Sequence, residues 1–207
     1  MGNYLRIGVS YLKNKYYPHL LLTFVFSLAS SQLMSFRNLQ EFQSARVLEM
    51  YACFAGVFLM TPLFMPEQDR ELWMLERSKK TSMWKVYLTR LLPAVICAVG
   101  IVSVFLVILN SNSSQVQMTK MWMGAVSEIL FLGSIGFFVS AVTNQVVLGY
   151  MLAVIYYAVN IGGSKYLGKL ALFQMGKGQY GFYIWMFPMA ILLYVGGIWL
   201  REKIAYN

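Results

Sequence analysis

The sequence predicts an all-α integral membrane protein with six transmembrane helices, on three observations. Apolar residues make up 58% of its 207 positions, charged residues only 12%, and the apolar residues gather into six long runs. A soluble domain typically carries about 25% charged residues, so lipid is the expected solvent. A spanning helix needs about 20 mostly apolar residues, because each adds ~1.5 Å across ~30 Å of hydrocarbon. The runs are continuous rather than alternating, which argues against a barrel, and helices satisfy their backbone internally where lipid offers no partners.

Taken in order, residues 1–16 form an amphipathic lead-in. Leu5, Val9, Leu12 and Tyr16 share one helical face while Arg6, Ser10 and Lys13 share another, the pattern of an interfacial helix lying in the membrane surface. The apolar run that follows is read as an uncleaved first span and not as a secretory signal, because this lead-in is too long and too structured for a simple charged start. Spans one and two occupy 17–65, at Tyr17 to Phe36 and Val47 to Met65. A charged segment takes 66–85. Spans three to five fill 86–161, at Val86 to Leu109, Met123 to Val142 and Val146 to Ile161, the last being the shortest. The connection 162–181 is broken by Gly162, Gly163, Gly176, Gly178 and Gly181, and residues 182–207 supply the sixth span, Phe182 to Leu200, and a tail. The whole is one transmembrane domain.

Lys and Arg orient it. With six spans both termini share a side, and that side holds eleven of the 17 basic residues. Basic loops remain cytoplasmic, so both termini and the 66–85 segment are expected inside a plasma or inner membrane. The net charge of +9 then reads as topology and as attraction to anionic membrane lipid, with no need for nucleic acid.

Chemistry-bearing groups are sparse. His19 is the single histidine and lies at the start of span one, and Cys53 and Cys97 fall inside spans without a CxxC pair. No catalytic constellation or metal set is expected. Gly163 to Lys169 has the GxxxxGK spacing of a phosphate-binding loop, but Leu170 stands where Ser or Thr should hold magnesium and no strand precedes it. The chain is therefore expected to be no enzyme and to hold no cofactor of its own.

The charged segment is the most informative feature, carrying nine of the chain's 25 charged residues. Pro66 suits a first helical turn, Glu67, Asp69 and Glu71 crowd the N-terminal end, and Arg77, Lys79 and Lys80 follow at the other, so the charges complement a short helix dipole. Leu72 and Leu75, with Trp73 and Met74 beside them, give it an apolar ridge. Thr81 or Ser82 caps the helix that rises into span three.

These residues resemble a family, the membrane subunits of type-2 ABC exporters. The resemblance covers the whole span layout. In that family an acidic residue, a Leu and then Arg-Ser-Arg-Pro-Val-Ser lead into span three, and Glu67, Leu75 and Arg77-Ser78-Lys79-Lys80-Thr81-Ser82 look similar, with Glu71-Leu72 and Lys80 departing from the pattern. The tight turn at Val139 to Val146 and the glycine-broken connection are also similar to the family's. The resemblance implies a cytoplasmic coupling helix between spans two and three, docking on ABC ATPase subunits through Glu67, Asp69, Glu71, Leu72, Trp73, Leu75, Arg77 and Ser82. It implies ATP and magnesium on that partner, a second permease copy or a related permease, and export of a hydrophobic or amphipathic substrate such as a peptide, lipid or drug. The alternative is a non-transporting immunity, sensing or scaffold protein, which would need no ATPase.

Ionisable groups inside a membrane are functional candidates by default, at ~2.5–3.5 kcal/mol of insertion cost each. Glu128 and Glu49 are the two, expected either as candidates for the translocation path or as groups that are neutral, snorkelling or hydrogen-bonded to a neighbouring helix. Small residues at Ala52 and Gly56, Gly133 and Gly136, and Gly149 and Ala153 are expected to let helices approach closely.

Overall fold

Among the described residues, two helices form the centre and four surround them. The structure, a computed structural model, describes residues 16–33, 36–68 and 83–206. Among them there is no strand, and the chain order is α1 (Tyr17–Leu33), α2 (Glu41–Gln68), α3 (Met83–Ser111), α4 (Met118–Thr143), α5 (Val146–Leu167) and α6 (Tyr183–Tyr206). Five of these, α2 to α6, are long and apolar enough to cross a membrane. The apolar part of α1, Tyr17–Ser30, is shorter than the expected first span. The lead-in expected at 1–15 lies outside the described residues, but Tyr16 at its end is buried and its hydroxyl donates to the Leu59 carbonyl at 2.7 Å.

In α2 and α4, 78% and 72% of the apolar window is buried, against 33%, 28% and 22% in α3, α5 and α6. These two therefore make the core, and the others turn most of their apolar surface outward. Glycine is what lets the central pair meet. A Cβ on Gly133 of α4 would stand 2.8 Å from the Gly56 carbonyl oxygen of α2, and one on Gly149 of α5 would stand 2.5 Å from the Gly136 carbonyl oxygen. Gly56, Gly133, Gly136 and Gly149, noted in the sequence as packing residues, all lie at such close approaches.

The second span differs most from expectation. It begins six residues earlier, at Glu41, widens to a π-helix over Leu48–Ala52, and ends in a 3-10 helix, Thr61–Gln68. Pro66 was expected to open the charged segment. Instead it is buried inside the last turns of α2, where 3-10 winding is common at a helix end and the proline removes one backbone hydrogen bond.

Between α4 and α5 the turn is as tight as expected. Asn144 adopts the left-handed conformation, φ 56° and ψ 22°, and α5 begins two residues later. Asparagine is one of the few side chains that enters this region readily. The fifth span extends to Leu167, past its expected end, with non-helical backbone at Gly163. Short 3-10 turns at Gly168–Leu170 and Met175–Lys177 then lead back to α6.

Aromatic residues ring both ends. Lys85 lies over Trp84 and Lys203 over Trp199 at the end bearing the charged segment, while Lys169 lies 4.2 Å over Trp185 and Lys120 over Tyr180 at the opposite end. Paired belts of this kind mark the two interfaces of a bilayer. Gly133→Val should lower stability by about 1–3 kcal/mol, because the added atoms meet backbone that must move, whereas Gly162→Ala, with nothing within 4 Å, should stay within about 0.5 kcal/mol of the parent. Unfolding midpoints of the two variants in the same detergent check the contrast.

Candidate functional site at the base of the charged segment

Gln68 is the last described residue before the segment and Met83 the first after it. Between them lie Asp69, Glu71, Leu72, Trp73, Leu75, Arg77 and Ser82, the expected docking residues, all outside the described residues. Glu67 is described, and it is only 4% exposed. Its Oε1 lies 3.2 Å from Nη1 of Arg90 on α3, and its Oε2 lies 2.8 Å from Nε of Arg201 on α6. The Tyr87 hydroxyl, one turn before Arg90, donates to the same Oε2 at 3.1 Å. This corrects the reading of Glu67 as a surface docking contact: its carboxylate points into the bundle and holds two arginines.

The network extends one step further. Arg201 Nη2 donates to the Asn144 side-chain oxygen in the turn between α4 and α5, and Gln68 Nε2 donates to the Asn144 backbone carbonyl at 3.1 Å. Arg90 also donates to the Leu63 carbonyl, and the Arg201 guanidinium lies 5.9 Å from the Phe64 ring centroid. One carboxylate thus joins the ends of α2, α3 and α6, and through Arg201 the α4–α5 turn. The local sequence favours this: the 3-10 winding places Leu63, Phe64 and Glu67 on the inward side of the last turns of α2, where all three are buried.

Each desolvated ion costs several kcal/mol before its partner repays it, so such a cluster holds only with both carboxylate oxygens occupied. Arg90 falls near the start of the expected third span and Arg201 directly after the expected sixth; both are buried. The available signal was that Glu67, Arg90 and Arg201 all fall at span ends on one side, where opposite charges at equal depth seek each other.

A second polar centre lies at the opposite end, around Glu49 and Glu128. Both are fully buried. Glu49 accepts backbone N–H bonds from Met175 and, at 3.1 Å, from Gly176. Glu128 accepts from the Phe173 N–H at 3.2 Å and from the Cys53 thiol at 3.4 Å. Asn160 accepts from the Leu172 N–H at 2.7 Å, and the Tyr156 hydroxyl donates to the Leu170 carbonyl at 2.6 Å. Expected either as path candidates or as hydrogen-bonded groups, these two carboxylates are hydrogen-bonded within this chain and tie the irregular 168–177 connection to α2 and α4. Backbone without helical partners can sit at such depth only if side chains satisfy it. At the rim, Tyr180 donates to Glu41 at 2.9 Å; burial, then that carboxylate, pushes its phenol up to about 12.

The described residues hold no group of three or more metal-ligating side chains. Comparison with known proteins gave no matching family model, no matching curated protein and no matching solved structure.

Glu67→Gln should destabilise the protein by about 3–5 kcal/mol, since it leaves two buried guanidinium groups without their counter-charge. Replacing Glu67, Arg90 and Arg201 together by Leu, Met and Met should recover much of that loss, and chemical unfolding of the three forms in detergent reads the difference. At the other end, Glu49→Leu strips two backbone N–H groups of their acceptor at about 1–3 kcal/mol each. It should speed proteolysis between residues 168 and 177 more than Glu49→Gln does.

Proposed function

We propose that this chain is the membrane subunit of an ATP-driven exporter, working with a separate cytoplasmic ATPase and a second permease copy or a related permease. The observation that carries this reading is the Glu67 cluster. It stands where the charged segment joins α2, and it binds that point to α3, α6 and the α4–α5 turn. A push on the segment would therefore reach four elements at once and tilt them together, which is what coupling to a soluble motor requires. The locking of Glu49 and Glu128 into structural bonds supports a path between two permease copies over one through a single copy.

In this reading both termini and the charged segment face the cytoplasm, and the 162–181 connection faces outward. Trp73 and Leu75 provide the apolar contact with the ATPase, with Asp69, Glu71, Leu72, Arg77 and Ser82 around them. ATP and magnesium belong to that partner. The cargo in this reading is hydrophobic or amphipathic, a peptide, lipid or drug, as the sequence resemblance implies.

Changing Trp73 and Leu75 to Asp should remove a soluble ATPase that otherwise copurifies in stoichiometric amount from the native membrane, while leaving the chain inserted and folded. Identification of bound proteins by mass spectrometry reads the result. No ATPase with the unaltered chain would favour the immunity or sensing alternative.

A further inference from the structure

Helices α1 and α3 both pack against α2 but leave a trough between them of about 440 Å³, floored by Leu59 of α2. Its wall along α3 runs from Cys97 to Ile108, which at ~1.5 Å per residue is about 17 Å. A trough of that length, lined almost wholly by apolar side chains, suits one extended hydrocarbon chain.

Its chemistry agrees. The two hydroxyls in the wall are engaged locally, Thr23 donating to the His19 carbonyl at 2.7 Å and Ser27 to the Thr23 carbonyl at 2.8 Å, so no donor waits for a polar ligand. Gly100 lies midway along the wall, and a Cβ there would meet nothing within 4 Å. Glycine weakens a helix interior relative to alanine, and protein packing does not demand it at this place. What its missing side chain does is keep the trough open. Phe36 and Ile108 close one end, and Arg37, adjoining Phe36, is exposed and forms no salt bridge among the described residues. A cation at that mouth suits a phosphate at the depth of the headgroups.

We propose that the trough between α1 and α3 holds one acyl chain of a membrane phospholipid, with the lipid phosphate beside Arg37. This site does not depend on the ATPase reading. Purified full-length protein, stripped of lipid in mild detergent, is titrated with dioleoyl phosphatidylglycerol and followed by native mass spectrometry. One lipid should bind saturably to the parent and to Gly100→Ala, and at least tenfold more weakly to Gly100→Phe at an unchanged melting midpoint. Arg37→Gln should abolish any preference over dioleoyl phosphatidylcholine. If Gly100→Phe fails to fold, Val104→Trp blocks the same wall from an exposed position and should give the same loss. Equal saturable binding to the parent and to a folded blocking variant overturns the proposal. So does unsaturable uptake indifferent to every variant, or a blocking variant that changes the monomer–dimer ratio and leaves the lipid adduct intact.

Discussion

The close approach of α2 and α4 is the contact on which the other helices depend. Without a hydrophobic drive between helices in lipid, association rests on packing and on hydrogen bonds. Gly56 and Gly133 bring the two backbones together, and the buried pair then offers surfaces on which α5 and α6 can lie. Tyr194 of α6 uses such a surface, donating to the Leu130 carbonyl of α4 at 2.9 Å. Phe64 of α2 does the same in the other direction, its ring 4.6 Å from Phe137 of α4 and 5.2 Å from Tyr87 of α3.

Clusters of polar side chains lie at the two ends of this core, and they act differently. At the end bearing the charged segment, a fixed carboxylate meets two fixed cations, a geometry with direction and strength. At the opposite end, carboxylate and amide side chains meet backbone amides, which holds a non-helical connection in place. The first arrangement makes helices move together; the second makes a short irregular segment rigid enough to lie against them.

Much of this was legible in the sequence. Continuous apolar runs located the five helices long enough to span, if not all their ends, and the glycine spacings pointed to the tight contacts, because both are local properties. The left-handed turn at Asn144 was legible for the same reason. The Glu67 cluster was not, since its members are 23 and 134 residues apart and nothing local says that an acidic residue beside a charged loop will turn inward. Glu67 was read with its neighbours Asp69 and Glu71, whereas it belongs to the buried last turns of α2. Glu49 and Glu128 misled in the opposite sense: rarity inside a membrane suggested a path, and the structure uses them to satisfy backbone that the sequence left without partners.

The reach of the Glu67–Arg201 pair has a consequence for how the protein is made. Chains emerge N-terminus first, so α2 is complete long before α6 exists, and its buried carboxylate must wait through 134 residues of synthesis for the second guanidinium. The final arrangement of α2 is therefore sealed from the far end of the chain. A copy truncated before Arg201 would keep its core helices and the Glu67–Arg90 pair but lack the contact that ties α6 and the α4–α5 turn to them, so the pair distinguishes finished molecules from unfinished ones.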